Sequence, residues 1–105
     1  MSWIYLILAG ICEIGWPLGF KLTQTMPSKF LGITLALFSM SASLFFLWLS
    51  QKTIPIGTAY AIWTGIGAAG TLFVGIFYFG DSASIWRLFS AFLIIVGIIG
   101  LRITS

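Results

Sequence analysis

Four long apolar segments, separated by short polar connectors, account for most of this 105-residue chain. A helix needs about 20 apolar residues to cross the hydrocarbon core of a bilayer, and each segment approaches or exceeds that length. The sequence therefore predicts an all-α membrane protein with four transmembrane helices, in which Asp81 or Ser82 caps the fourth helix. The predicted helices cover about 3–20, 30–50, 56–80 and 84–102, within a single domain of residues 1–105.

The small number of polar residues supports a membrane protein and argues against several functions. Hydrophobic residues make up 60% of the chain, and its five cations and two carboxylates are too few to cover a soluble domain. Because the cations form no patch, we expect no nucleic-acid partner. The chain has no histidine and one cysteine, Cys12, so we expect no metal site and no cofactor.

The distribution of Lys and Arg predicts how the chain inserts into the membrane. Four helices place Lys52 and Arg102 on one face of the bilayer, and Lys21, Lys29 and Arg87 on the other. Orientation follows the difference in Lys and Arg between the two faces, and here that difference is small. The sequence favours dual topology, in which copies insert both ways. The alternative is a single orientation set by flanking residues.

Dual insertion would supply the second of two inverted repeats, which one chain lacks. Secondary transporters commonly place their site between inverted repeats, and four helices are too few to contain both. An antiparallel homodimer would provide the missing half. Small residues in the fourth helix, Ser90, Gly97 and Gly100, permit the close helix contact that such a dimer needs. The alternative is that they reflect the ordinary glycine content of a membrane helix.

Glu13 lies within the first apolar segment, and it is the main indication of function. A carboxylate at the bilayer centre costs about 2.5–3.5 kcal/mol on insertion scales, and such residues usually face a cavity on an ion or substrate pathway. Because removal from water disfavours the charged form, this carboxyl can hold either a proton or a cation. The alternative is a protonated structural carboxyl bonded to a neighbour.

Aromatic residues suggest that the bound species is a cation. Trp16 follows Glu13 by three residues and Gly10 precedes it by three, so all three share one helix face, where Gly10 would leave space. Tyr60 and Trp63 have the same spacing on the third helix. Aromatic faces attract cations, which makes these residues candidate ligand contacts. The alternative, which is the more common position of a single aromatic residue, is that each faces lipid or the protein core.

The first and second helices contain further candidate pocket residues. Ser39, Ser41 and Ser43 place three hydroxyls in an apolar helix, and one of them could orient Glu13. Alternatively, each bonds back to a carbonyl of its own helix. Pro17 has no N–H, so it leaves the Glu13 carbonyl without its helical donor and predicts a looser or kinked helix there.

These features together resemble the small multidrug resistance family. The resemblance covers essentially the whole chain and is carried by four short helices, the lone Glu13, and the signature IPIGTAYAIWTGIGA at 54–68. It implies an antiparallel homodimer that exchanges protons for cations at a pair of Glu13 residues, with Tyr60 and Trp63 at the site. It also implies a conformational hinge in the third helix at Gly65, Gly67 and Gly70.

Within that family the chain is similar to the guanidinium-exporting branch. Gly10, Trp16, Ser43 and the stretch GTAYAIWTGIGA carry this similarity, which implies that Trp16 and Ser43 hold the two glutamates in place. A planar guanidinium also matches a carboxylate in a bidentate pair. Pro17 and Phe20 depart from the branch pattern beside the site. A guanidine derivative such as guanylurea is therefore an alternative substrate to guanidinium itself.

Two other classes of protein compete with this interpretation. One is an exporter of quaternary ammonium cations from the same family, and the other is a non-transporting subunit or a passive channel. An enzyme is not expected, because the sequence has no nucleophile–base pair, metal cluster or phosphate-binding loop. The expected location is the bacterial inner membrane, with multiple spans. The expected partners are a second copy of the chain, protons, small organic cations and lipid.

Overall fold

The computed structural model describes residues 1–104 and consists of four long helices joined by short connectors. All four are long and apolar enough to cross a membrane, with at least 20 residues each. The prediction of an all-α protein with four transmembrane helices is confirmed. The helices are α1 (Ser2–Thr25), α2 (Lys29–Ser50), α3 (Ile56–Tyr78) and α4 (Ile85–Thr104).

The sequence predicted that the first helix ends at Phe20, just before Lys21. In the structure α1 continues to Thr25. The hydroxyls of Thr23 and Thr25 donate hydrogen bonds to the carbonyls of Phe20 and Lys21, within the last turns of the helix. A lysine at the membrane surface can keep its stem along apolar surface while its charge reaches water. A lysine at position 21 is therefore compatible with a helix that continues to Thr25.

The connector between α3 and α4 differs from the sequence prediction in its cap. The Ser84 hydroxyl accepts a hydrogen bond from the Arg87 backbone N–H at 3.3 Å, so Ser84 caps α4 in place of Asp81 or Ser82. Gly80 turns the chain with a φ of 73°, a region that favours glycine. The Asp81 backbone N–H then returns to α3 and donates to the Gly75 carbonyl at 2.9 Å.

Pro17 lies inside α1, and the helix is continuous on both sides of it. The sequence predicted a looser or kinked helix at this point. Neighbouring helices can support a proline within a membrane helix, and α1 packs against both α2 and α3. The proline is thus accommodated without a break in the helix.

Small residues allow α1 and α2 to approach closely. A Cβ added to Gly19 would lie 2.6 Å from the Gly32 carbonyl oxygen and 2.8 Å from the Ala36 nitrogen. Close backbone contact through small residues is the usual way that helices associate in lipid. Deeper in the bundle, a small core forms where α1, α2 and α3 meet, and it includes Leu6, Ala9, Leu47, Ala59 and Ile62.

The chain forms a flat layer, and α4 lies at one side of it. The principal extents are 44 × 34 × 17 Å, so the shortest dimension is less than two helix diameters. Helix α4 packs against α3, and Ala91 is its one buried residue. Large apolar side chains are exposed along all four helices, as expected for a surface that meets lipid or another protein.

Tryptophan and cationic side chains pair at the membrane face that holds the N-terminus. The Arg102 guanidinium lies 4.4 Å from the centre of the Trp3 ring, and the Lys52 ammonium lies 4.7 Å from the Trp48 ring. Such cation–π pairs suit a membrane interface, because the rings are amphipathic and the cations reach water. The Trp3–Arg102 contact joins the two ends of the chain, and a hydrogen bond between the Ser2 and Thr53 hydroxyls joins the N-terminus to the second connector.

Candidate functional site

Glu13 lies in the middle of α1 and lines a cavity of about 480 Å³ between α1, α3 and the start of α4. The side chain is half-buried. Trp16 and Pro17, one turn further along α1, line the same cavity, as expected from their spacing. Helix α3 contributes Thr64 and Thr71, which no sequence pattern indicated as site residues.

The carboxylate side chain of Glu13 packs directly on the backbone of α3. A Cβ added to Gly67 would lie 2.5 Å from Glu13 Cγ and 3.1 Å from its Cβ. No larger residue fits at Gly67 without moving Glu13. The glycine that the sequence predicted as part of a hinge is therefore, within this chain, also the surface on which Glu13 rests.

Ser43 lies between Trp63 and Glu13, and it is hydrogen-bonded to Trp63 and to the backbone of Ala9. The Trp63 indole N–H donates to the Ser43 oxygen at 2.8 Å, and the Ser43 hydroxyl lies 2.8 Å from the Ala9 carbonyl oxygen. The distance from Ser43 to the Glu13 carboxylate is 3.4 Å, long for such a bond. Because one hydroxyl carries one proton, Ser43 donates to Ala9 here and reaches Glu13 only by rotating away.

The four aromatic residues of interest form two pairs. Tyr60 and Trp63 have ring centres 5.4 Å apart, and Trp16 packs edge-on against Phe20 at 5.5 Å. Tyr60 is 57% exposed, so its ring is available to a ligand or to another chain. Trp16 is the member of these pairs that lines the Glu13 cavity.

Gly10 and Ser39 do not line this cavity. A Cβ added to Gly10 would lie 2.7 Å from Ile66 Cβ, so the space that the sequence predicted there is filled by α3. Ser39 is buried against Gly15, on the interface between α1 and α2. Within one chain, both residues act as packing contacts that bring helices together.

The other predicted hinge residues are packing contacts as well. Gly65 faces Ile98 of α4, and Gly70 faces Ile14 of α1. Helix α3 is continuous through this stretch. Glycines at these positions let two neighbouring helices lie close on either side of α3, and the hinge itself stays a prediction.

Two charged residues near the start of α4 complete the cavity, although their sequence positions indicated only a loop and a membrane-face charge. Asp81 and Arg87 line the same cavity as Glu13. Within residues 1–104, the Nε atom of Arg87 is the one buried side-chain nitrogen or oxygen without a hydrogen-bond partner. A sequence signal existed, because Asp81 is the only carboxylate besides Glu13 in the chain.

The predicted dimer residues lie on an open part of α4. A Cβ added to Gly97 or Gly100 would have no atom of the described part of the chain within 4 Å. Ser90 is exposed, and its hydroxyl bonds to the Trp86 carbonyl of its own helix. Gly97 and Gly100 border a shallow groove between α3 and α4 that no side chain of residues 1–104 fills.

Comparison with known proteins identifies the family. The model of the family described as "Small Multidrug Resistance protein" matches residues 1–94 of the chain. The chain belongs to the small multidrug resistance family. This confirms the family expected from the sequence, and it places the chain in the bacterial inner membrane as a multi-pass protein.

Several full-length relatives from this family are each named guanidinium exporter. A protein of Proteus vulgaris is 48% identical over 108 residues, and one of Yersinia pseudotuberculosis is 46% identical over 105 residues. Each alignment covers the whole of both chains. A protein of Escherichia coli strain K12 is 43% identical over 105 residues, covering all of this chain and 99% of its own.

Proposed function

We propose that this chain exports guanidinium or a small guanidine derivative in exchange for protons, using Glu13 residues contributed by two copies. The observation that carries the proposal is the position of Glu13, a mid-membrane carboxylate on the wall of a cavity of about 480 Å³. The class of substrate comes from the relatives of this chain that are named guanidinium exporter.

The chemistry around Glu13 suits a guanidinium ion. A carboxylate can accept two parallel N–H bonds from a guanidinium, and a charge-assisted pair of this kind is about twice as strong as a neutral one. The Trp16 ring offers an adjacent aromatic face to a planar cation. The Thr64 and Thr71 hydroxyls can accept further N–H bonds from the ion, since both residues line the cavity.

Competition between protons and the cation for Glu13 couples export of the cation to import of protons. When Glu13 is protonated, the carboxyl is neutral and has no charge with which to hold the cation. When the cation is bound, the proton is absent. Exchange requires that a dimer with two bare carboxylates does not change conformation easily, because burying an uncompensated charge is costly. Gly65, Gly67 and Gly70 are the proposed hinge for that change.

The proposed assembly is an antiparallel homodimer. Because the chain is only 17 Å across in its shortest direction, one layer cannot surround a cation at the Glu13 cavity. A second copy would cover the open side, and it would bring its own Glu13, Tyr60 and Trp63. Gly97 and Gly100 offer an open small-residue contact for the other copy, with Ser90 nearby on the same helix.

Export of quaternary ammonium cations is the second candidate function. The observation that favours it is the cavity volume, since about 480 Å³ lies within the range of sites that hold drug-sized ligands, roughly 300–1,000 Å³. A competition assay between tetrapropylammonium and guanidinium separates the two. Strong inhibition by tetrapropylammonium, together with its own transport, would assign the chain to drug export.

The test is an electrical measurement on reconstituted protein. Wild-type protein and the Glu13→Gln variant are each reconstituted on a solid-supported membrane. The membrane is then perfused with guanidinium, guanylurea or tetrapropylammonium. We expect currents with the guanidine compounds in the wild type and their loss in Glu13→Gln, because an amide cannot exchange a proton for a cation. Proton-coupled current retained in Glu13→Gln would contradict the mechanism. Silence of the wild type with all three would favour a non-transporting role.

A further inference from the structure

A second carboxylate rests on α3 in the same way as Glu13. Asp81 Oδ2 occupies the place where a Cβ on Gly75 would stand, as Glu13 Cγ does at Gly67. The two glycines are eight residues apart, or about 12 Å along the helix axis. The two carboxylates therefore contact sides of α3 that are about 80° apart around its axis, with Asp81 about two turns closer than Glu13 to the end of the helix.

A continuous cavity joins the two carboxylates. A smaller cavity of about 210 Å³ lies next to the Glu13 cavity, and Pro17, Thr71 and Asp81 line both. Thr71 lies midway between Gly67 and Gly75 on α3 and offers a hydroxyl oxygen to a passing cation. Glu13, Thr71 and Asp81 thus mark a polar path from the middle of the bundle to its edge.

We propose that Asp81 is an outer binding position for the cation, at the mouth of the path to Glu13. This inference rests on the proposed transport function. Asp81 is available for this role because Ser84 caps α4, and because within residues 1–104 its hydrogen bond to α3 comes from its backbone N–H and not from its carboxylate. Its side chain is exposed at the mouth of the cavity.

The charges at this end of the bundle make Asp81 decisive for cation access. Lys21 lines the smaller cavity and Arg87 lines the larger one, so two cations flank the path. Asp81 is the single negative group among them, since the other carboxylate of the chain is Glu13. Without Asp81, an incoming cation would meet only positive charge at the mouth.

Arg87 carries the same chemical group as the proposed substrate. Its guanidinium lines the cavity together with Asp81, and its Nε has no hydrogen-bond partner within residues 1–104. We expect Arg87 to compete with the bound cation for Asp81 and so to keep binding at the mouth weak. A weak outer position lets the cation move on to Glu13 or leave the protein.

The test compares transport kinetics of wild type, Asp81→Asn and Asp81→Glu at two ionic strengths. At about 0.01 M salt we expect Asp81→Asn to raise the apparent KM for guanidinium roughly tenfold, with a much smaller change in maximal rate. Asp81→Glu restores most of the affinity. At about 1 M salt the Debye length falls from roughly 30 Å to 3 Å, so the KM difference should shrink to about twofold or less.

A second variant separates charge from structure. Adding Lys21→Gln to Asp81→Asn removes one of the two flanking cations and should lower the KM again by about threefold. A KM unchanged in Asp81→Asn at both ionic strengths would overturn the proposal, as would a salt-independent loss of maximal rate alone. Absence of transport in the wild type would instead contradict the proposed function, on which this inference rests.

Discussion

At the residue scale, the contact between Glu13 and Gly67 makes a sharp prediction. In Gly67→Ala the new Cβ would lie 2.5 Å from Glu13 Cγ, so the carboxylate must move off α3. Overpacking of this kind typically costs about 1–3 kcal/mol. We expect guanidinium current to fall at least tenfold while the protein still folds, measured on a solid-supported membrane beside thermal unfolding in detergent.

Gly57→Ala is the matched control for Gly67→Ala. Gly57 also lies on α3, but an added Cβ there would have no atom within 4 Å. Its transport should stay within about twofold of wild type. Normal transport by Gly67→Ala would show that the function of Glu13 does not depend on its close contact with Gly67 of α3.

The sequence predicted part of the site because helical spacing is a local property. Glu13 and Trp16 share a cavity as their three-residue spacing requires. Gly10 has the same spacing, yet Ile66 from another helix fills the space beside it. Thr71 and Arg87 reach the cavity only through the packing of α3 and α4, which no spacing within α1 could reveal.

At the element scale, the crossing of α1 and α2 depends on Gly19 and Gly32. A Cβ on Gly32 would lie 2.6 Å from the Gly19 carbonyl oxygen and 2.9 Å from the Thr23 nitrogen. Both contacts are to backbone, which cannot rotate away. Gly32→Ala should therefore push the two helices apart and destabilise the fold by about 1–3 kcal/mol, seen as a lower midpoint of thermal unfolding in detergent.

Gly57→Ala tests whether that loss depends on the crossing itself. Gly57 is helical as well, but an added Cβ there would have no atom of residues 1–104 within 4 Å. Its unfolding midpoint should not fall. Equal destabilisation of the two variants would mean that the glycines act through helix propensity and not through the α1–α2 contact.

The number of helices followed from the sequence, but their ends did not. Length and apolar composition are sufficient to define a membrane span, and four were found. The end of α1 depended on whether Lys21 stops a helix, and its long stem allows the helix to continue. The cap of α4 depended on a choice among neighbouring polar residues, and Ser84 rather than Asp81 makes the bond.

At the scale of the whole molecule, the proposed dimer depends on insertion in both orientations. Lys and Arg number two on one face and three on the other, so a few added charges should fix the orientation. The double substitution Gln24→Lys and Ser28→Lys raises the number of Lys and Arg residues on the second face from three to five. This variant should insert one way only and lose guanidinium export when it is expressed alone.

A variant with the opposite bias provides the decisive comparison. Gln51→Lys and Thr104→Lys with Lys29→Gln gives four cations on the first face and two on the second. Each variant alone should lack export, and the two expressed together should restore it, because each supplies the orientation that the other lacks. Labelling of cysteines introduced in the connectors reports the orientation of each variant independently of transport. Full export by one variant, shown by that labelling to have a single orientation, would rule out the antiparallel pair.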